Sequence, residues 1–122
     1  MKRLAIFAGL ILLITTSVVA QQIEKVEWDS PGSMIRVRLA GGGTEMNPRG
    51  SDLQGAVIVG WTRDFFVLHN PNRGWIRTYD AKGSKIAELA NNQIGDSNVS
   101  LSGDTVVVTR GGSTQRLNKN LR

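Results

Sequence analysis

The feature that most constrains this chain is the short spacing between its turns. The chain contains 14 Gly, and after Gln21 they separate short runs rich in Val, Ile and aromatic residues. No window after Gln21 keeps apolar residues at the i, i+3, i+4 and i+7 positions of an amphipathic helix. Short runs bounded by Gly, Asp and Pro are typical of antiparallel strands. The sequence therefore predicts an all-β domain built from hairpins.

Two runs predict the environment of their strands. The run MIRVRL at residues 34–39 alternates between apolar and other residues, which predicts a strand with one covered face. The run AVIVGW at residues 56–61 is almost continuously apolar, which predicts a strand covered on both faces. Residues 86–92 are the best helical candidate, and they suit a strand end equally well. The other predicted strands lie at residues 23–28, 65–69, 75–79, 99–101 and 105–109, with a weaker last strand at 115–117.

The first twenty residues have the pattern of an export signal. Lys2 and Arg3 precede an apolar stretch that ends in the small residues VVA, directly before Gln21. That stretch is short for a membrane span, which needs about 20 residues. We therefore expect a cleaved signal-peptide helix at residues 1–20, followed by one all-β domain at residues 21–122. The protein is expected to be periplasmic or secreted, with no membrane span after cleavage.

Composition limits the classes of partner. The formal net charge of +5 comes from 15 basic and 10 acidic residues. Loss of Lys2 and Arg3 with the signal would leave 13 basic and 10 acidic residues, a net charge of +3. Because the two signs are interspersed, they indicate an ordinary solvated surface and no specific nucleic-acid partner. The chain has no Cys, which fits a bacterial periplasm at least as well as animal secretion, where small domains are usually rich in disulfides.

Three stretches of the chain show the same order of features, which suggests an internal repeat. Each has an apolar run, a turn, a strand, a Gly-containing loop and a more polar strand, at residues 23–50, 55–90 and 94–122. In the middle unit, the segment WIRTYDAKGSKI follows a strand and a Gly-containing loop. This segment resembles a β-propeller blade, in which a turn of this kind joins the third and fourth strands. The resemblance covers mainly residues 55–89.

The resemblance implies a shape and gives no activity. Propellers typically contain 4–8 blades, and this chain offers at most three, so a closed single-chain propeller is not expected. Three arrangements remain open: an open three-unit sheet, a small sandwich or barrel, and a propeller completed by self-association.

The sequence shows no catalytic or metal-binding constellation. His69 is the only His and ends an apolar strand, with Asp64 and Asp80 as the nearest carboxylates in sequence. A lone His at the end of a strand is more often a turn or surface residue than a catalytic base, so we predict the former for His69. The Asp residues are scattered singly in turns, where Asp is favoured for its own hydrogen bonding. We therefore predict a non-catalytic protein with no cofactor and no metal.

One strand carries the best candidate for a binding surface. Trp75, Arg77 and Tyr79 lie at period-two spacing, which places them on one face of a strand. Such a ladder can stack on sugars, bases or peptide side chains, and these residue types dominate binding hot spots. The alternative interpretation is that Trp75 and Tyr79 belong to the core and that the face with Ile76 and Thr78 is the outer one.

Two functional hypotheses follow. The first is a small exported β-repeat protein that binds a protein partner, or a second copy of itself, through a sheet face or edge. The alternative is a small basic barrel resembling the OB-fold class, which binds an anionic or carbohydrate ligand in the cell envelope. That alternative requires Arg63, Arg73, Trp75 and Arg77 to meet on one surface.

Overall fold

The computed structural model describes residues 21–30 and 32–122, so the predicted signal peptide lies outside the described residues. The described part contains ten strands, two 3-10 turns (Ser51–Leu53 and Ile94–Asp96) and no α-helix. The predicted all-β class is confirmed. The strands are β1 (Ile23–Ser30), β2 (Met34–Leu39), β3 (Thr44–Glu45), β4 (Val57–Trp61), β5 (Phe65–Asn70), β6 (Trp75–Asp80), β7 (Lys85–Ala90), β8 (Asn98–Ser102), β9 (Thr105–Arg110) and β10 (Ser113–Leu117).

The strands form three antiparallel sheets, and each sheet is built from one continuous stretch of chain. The first sheet has the order β1-β2-β3, the middle sheet β4-β5-β6-β7, and the third sheet β8-β9-β10. Neighbours in a sheet are therefore also neighbours in sequence. Within the described residues none of the sheets closes on itself, so the barrel alternative is wrong. Among the same residues, no helix is long and apolar enough to cross a membrane.

The middle sheet is covered on both of its faces. All six residues of β5 are buried, and they alternate between two hydrophobic clusters. Phe66 and Leu68 pack with residues of the first sheet, whereas Phe65 and Val67 pack with residues of the third. The core therefore consists of two layers, one on either side of β5 and β6.

β4 has the environment that its sequence predicts only at its centre. Its apolar run suggests burial on both faces, but Val57 is 53% exposed and Trp61 is 39% exposed. The prediction holds at the centre of the strand, where Ile58 packs against the cluster beside the first sheet and Val59 against the cluster beside the third, and it fails at the two exposed ends. Its close packing is lateral: a Cβ on Gly60 would lie 3.3 Å from the Cδ2 atom of Leu101 in β8.

The third sheet is regular, and two tight turns set its hydrogen-bonding pattern. Two-residue loops join β8 to β9 and β9 to β10, and neither pairing contains a register shift. Gly103 and Gly111 occupy the first central positions of these loops with φ values of 61° and 60°. A positive φ at that position is what a type II′ hairpin turn requires, and Gly adopts it without strain. The turns therefore fix which backbone N–H and C=O groups of β8, β9 and β10 point toward a neighbouring strand.

Candidate strand-binding edge

The predicted aromatic ladder lies in the core. Trp75 and Tyr79 are only 4% and 3% exposed and pack in the cluster between the first and middle sheets. The Tyr79 ring stacks on Phe66 with centroids 5.1 Å apart. Both rings therefore belong to the core, as the alternative interpretation has it, and neither presents a free face to a ligand. The Trp75 Nε1 donor has no hydrogen-bond partner among the described residues, so the indole acts through packing.

Arg77 is held by partners within the chain. Its Nη1 atom donates to Asp52 Oδ2 at 2.7 Å, and its Nε atom donates to Glu88 Oε1 at 2.6 Å. The guanidinium also covers the ring of Trp75, with Cζ 3.9 Å from the ring centroid. Burial alone would lower the pKa of Arg77, but the hydrogen bonds that Arg77 donates to Tyr79, Asp52 and Glu88 outweigh it, so the pKa is raised. Arg77 therefore stays charged and ties β6 to β7 and to the first 3-10 turn.

His69 is a structural residue and not the turn or surface residue that its position predicts. It is 8% exposed, and its Nε2 atom lies 3.1 Å from the carbonyl oxygen of Ile94, which accepts a hydrogen bond from it. Asp64 and Asp80 flank the opposite end of β5, since Phe65 pairs with Asp80. That end is about 13 Å from His69 at the rise of a strand. No group of three or more metal-ligating side chains occurs in the described residues.

The surface required by the barrel alternative is not assembled. Arg63 lies in the turn before β5 and Arg73 in the turn after it, so the full strand separates them. Trp75 lies in the core, and Arg77 is paired with carboxylates. These four residues therefore do not meet on one surface, because consecutive turns of an antiparallel sheet lie at opposite ends of the strand between them.

The outer face of the first sheet is neutralised by ion pairs. Glu27 lies between the guanidinium groups of Arg36 and Arg38, with contacts of 3.2 and 2.8 Å. Arg36 also pairs with Asp29. The hydrogen bond from Arg38 is the main reason that the pKa of Glu27 is lowered. We expect this face to stay in contact with water, because a partner that packed on it would have to desolvate the ion pairs at a large cost in free energy.

The free edge of β10 is the best binding feature of the described residues. The third sheet has three strands where the middle sheet has four, and no strand in the described part pairs with the outer side of β10. All of β10 is exposed except the half-buried Leu117. Edge strands are usually protected by bulges, charges, Pro or extreme shortness. β10 has a regular register and a single charge, Arg116.

The strands at the corresponding edges of the other two sheets, β3 and β7, are protected. β3 has only two residues. β7 carries a register irregularity opposite Thr78 and Tyr79, and Lys85 and Glu88 form an ion pair along it at 3.4 Å. The remaining edge strands lie against one another, β1 against β4 and β4 against β8. Among β3, β7 and β10, β10 is the long, regular and weakly charged edge.

The tight turn determines which β10 groups point outward. Arg110 and Ser113 flank the two-residue loop and pair directly, so in a two-residue hairpin they exchange both backbone bonds. Antiparallel pairing then alternates. The N–H groups of Ser113, Gln115 and Leu117 therefore point toward β9, and those of Thr114 and Arg116 point to the free edge. Together with their carbonyl groups, these two residues offer a short ladder to an added strand.

A cleft of about 590 Å³ lies beside this edge. β7, the second 3-10 turn and the inner faces of β9 and β10 form its walls, with Leu89, Ile94 and Val108 as apolar lining and Gln115 and Leu117 as the contribution of β10. Because alternate side chains of a strand point to the same face, every second side chain of an added strand would point into this cleft. The feature thus combines a main-chain ladder with side-chain pockets.

The floor of the cleft is fixed by the last residues of the chain. Thr78 Oγ1 donates to the carbonyl oxygen of Lys119 at 2.6 Å, which draws the segment after β10 beneath the middle sheet. Leu121, 8% exposed, packs there with Ile76 and Val106. The segment therefore fills the core and leaves the outer side of β10 uncovered.

A second, more open cleft of about 490 Å³ lies between the loop after β5 and the loop after β7. Its polar lining comes from Asn72, Arg73, Asn91 and Asn92. A Cβ on Gly74 would lie 2.9 Å from the carbonyl oxygen of Asn91, so the two loops pack closely. This cleft offers carboxamide and guanidinium donors and no aromatic ring.

Comparisons with protein-family models, with curated proteins and with solved structures found no match. The functional argument therefore depends on the geometry of the described residues. Sequence reasoning missed the importance of β10, which reads as a weak final strand because STQRL is mostly polar. The available signal was the Gly111–Gly112 pair, which fixes a tight turn and hence the direction of every backbone group that follows.

Proposed function

We propose that this chain is a small exported, non-catalytic binding module that takes up a partner polypeptide as an added strand on β10. The observation that carries the proposal is the regular outer edge of β10, where Thr114 and Arg116 direct free backbone groups to solvent beside a cleft. In strand addition, main-chain bonds supply affinity and pockets for alternate side chains supply specificity. The edge and the cleft provide one element for each role.

The chemistry of the cleft indicates the kind of segment that fits. Its lining combines aliphatic side chains with one charged residue and five polar ones: Arg110, Asn91, Gln93, Ser97, Ser113 and Gln115. An extended partner segment with an aliphatic residue at every second position would fill the apolar part and leave its other side chains in solvent. Export follows as part of the proposal from the signal-like pattern of residues 1–20.

A display library of extended heptapeptides, selected on the exported chain, tests the proposal. The informative variant is Arg116→Pro, which removes an N–H that points away from β9 and therefore costs the free protein little. Arg116→Ala is the matched control, because it removes the same charge and keeps the N–H. We expect selected peptides to bind the wild type and Arg116→Ala and to lose at least tenfold in affinity for Arg116→Pro. Equal binding to Arg116→Pro would contradict the proposal.

The second cleft supports a second candidate function, the binding of an anionic or carbohydrate ligand. Asn72, Asn91 and Asn92 can each donate and accept hydrogen bonds, as sugar hydroxyls require, and Arg73 adds a positive charge. Titration with a panel of neutral and sulfated oligosaccharides, in the wild type and in an Asn72→Ala/Asn92→Ala variant, tests this candidate. If the double variant binds the oligosaccharides as well as the wild type does, the second candidate function is wrong.

A further inference from the structure

We infer that the strand received by β10 is β10 of a second copy of this chain, antiparallel and with Gln115 on the two-fold axis. The inference rests on the proposed function, since it names the partner of the same edge. It would join two third sheets into one continuous sheet of six strands, in the order β8-β9-β10 followed by the same strands reversed.

The direction of the backbone groups restricts the pairing. Only Thr114 and Arg116 carry outward-pointing groups within β10, so they must face outward-pointing residues of the other copy. Centring the pairing on Gln115 places each Thr114 opposite Arg116 of the second copy. This happens twice by symmetry, and in each such pair the two residues exchange both of their backbone hydrogen bonds. Every residue of β10 then has a partner, with Ser113 opposite Leu117.

The neighbouring two-fold arrangements are worse. Centring on Arg116 would set the only charged residue of β10 directly against itself, and like charges in opposed positions are destabilising. Centring on Thr114 would place Arg116 opposite Gly112, in the turn, and leave Leu117 beyond the partner strand. The Gln115-centred arrangement avoids both faults, because its charge meets the neutral Thr114.

The inner side of the edge has room for this contact. Gln115 is exposed and lines the cleft, and on the axis it would meet its own copy, where two carboxamides can hydrogen-bond to each other. Gly112 would oppose Asn118 of the second copy, and a Cβ at Gly112 would meet nothing within 4 Å. The turn therefore presents no obstacle in this chain.

Association through the edge is also favoured over association through the outer face of the first sheet. That face holds Glu27 between Arg36 and Arg38, and a partner packed on it would have to desolvate the network. Five paired residues on each side form a contact smaller than the roughly 1,200 Å² of a stable interface. We therefore expect a reversible dimer that grows with concentration.

The absence of Cys in the chain makes the arrangement testable by a single substitution. In the proposed register, residue 115 faces itself at a position without backbone bonds, where Cα atoms lie about 4.5 Å apart, within the range for a disulfide. Thr114→Cys is the matched control, because its two copies would lie about 8 Å apart and cannot bridge without backbone movement. Under mild oxidation at a concentration where the dimer is populated, we expect Gln115→Cys to form a covalent dimer at least tenfold faster than Thr114→Cys.

Cross-linking, light scattering and peptide binding together distinguish failure of the proposed dimer from failure of strand addition itself. Equal or faster cross-linking of Thr114→Cys would overturn the register. A chain that stays monomeric by light scattering across the concentration range, with no Gln115→Cys dimer, would overturn the second copy as partner. If peptides then still bind and depend on the N–H of Arg116, strand addition stands; if they do not, both proposals fail. Trp61→Ala serves as a surface control, since association lost through this exposed residue of β4 would place the contact away from β10.

Discussion

The Cζ atom of Arg77 lies 3.9 Å from the centroid of the Trp75 ring. A guanidinium over an indole face is attracted by the ring's charge distribution, and the attraction grows when water is excluded. The Arg77 side chain is 14% exposed and contacts Asp52 and Glu88 on its polar side. The ladder that suggested a ligand site in the sequence is therefore satisfied within the chain itself.

Arg77→Ala should destabilise the protein strongly. The substitution removes the cover of Trp75, leaves Asp52 without its cation and leaves Glu88 with Lys85 alone, so we expect a loss of roughly 2 kcal/mol in the free energy of unfolding. Urea unfolding followed by Trp fluorescence measures it. Arg38→Ala is the control, because Arg38 is 51% exposed and bound to Glu27 alone; exposed pairs of this kind contribute about 0–1 kcal/mol. Equal losses in the two variants would show that Arg77 has no special role.

Glu88 should make stability depend on acid pH. The hydrogen bond from Arg77 is the main cause that lowers the pKa of Glu88 below the value of 4.5 for the free group. A carboxylate with a lowered pKa in the folded state contributes stability above its unfolded pKa, and that contribution is lost as pH falls through the folded pKa. Glu88→Gln should therefore be less stable than the wild type at pH 7, with the two curves converging below pH 4.5. Curves that stay parallel down to strongly acid pH would contradict this, and Glu24→Gln on the exposed side of β1 is the control.

Thr78 should be required for the floor of the cleft. Thr78→Val keeps the shape of the buried side chain and deletes the hydroxyl that donates to Lys119 at 2.6 Å, so we expect a loss of about 1–2 kcal/mol. Amide exchange should also speed up in residues 118–122, because the segment is no longer tied to β6. Thr109→Val, on the outer face of β9, should change neither quantity. Unchanged exchange in the last residues of Thr78→Val would show that packing of Leu121 alone holds the segment.

The sequence predicts strands well where one face is covered. For β2 the predicted bounds and the covered face are both correct, because Ile35, Val37 and Leu39 are buried and the intervening residues are not. Alternation does not identify a solvent face in β6, because Trp75 and Ile76 lie on opposite faces of the strand and both are buried. A strand inside a middle sheet has no solvent face, so alternation cannot tell which side is a ligand surface.

The candidate edge could not be predicted from its own residues. An edge is defined by the lack of a neighbouring strand, which is a property of the assembled sheet. The apolar run of β4 predicts its centre correctly, since Ile58 and Val59 pack on opposite faces, but it does not show that Val57 and Trp61 are exposed. The blade-like repeat over residues 23–50, 55–90 and 94–122 remains a prediction.

Residue-resolved amide exchange across β10, at low and high protein concentration, tests the central claim most directly. At low concentration Thr114 and Arg116 should exchange fast and Gln115 slowly, because of these three residues Gln115 alone directs its N–H toward β9. At high concentration, protection of Thr114 and Arg116 should rise while protection of Gln115 stays the same. Protection that rises on β4 or β7 instead, or exchange at Thr114 and Arg116 that never changes with concentration or with bound peptide, would contradict a strand-binding role for β10.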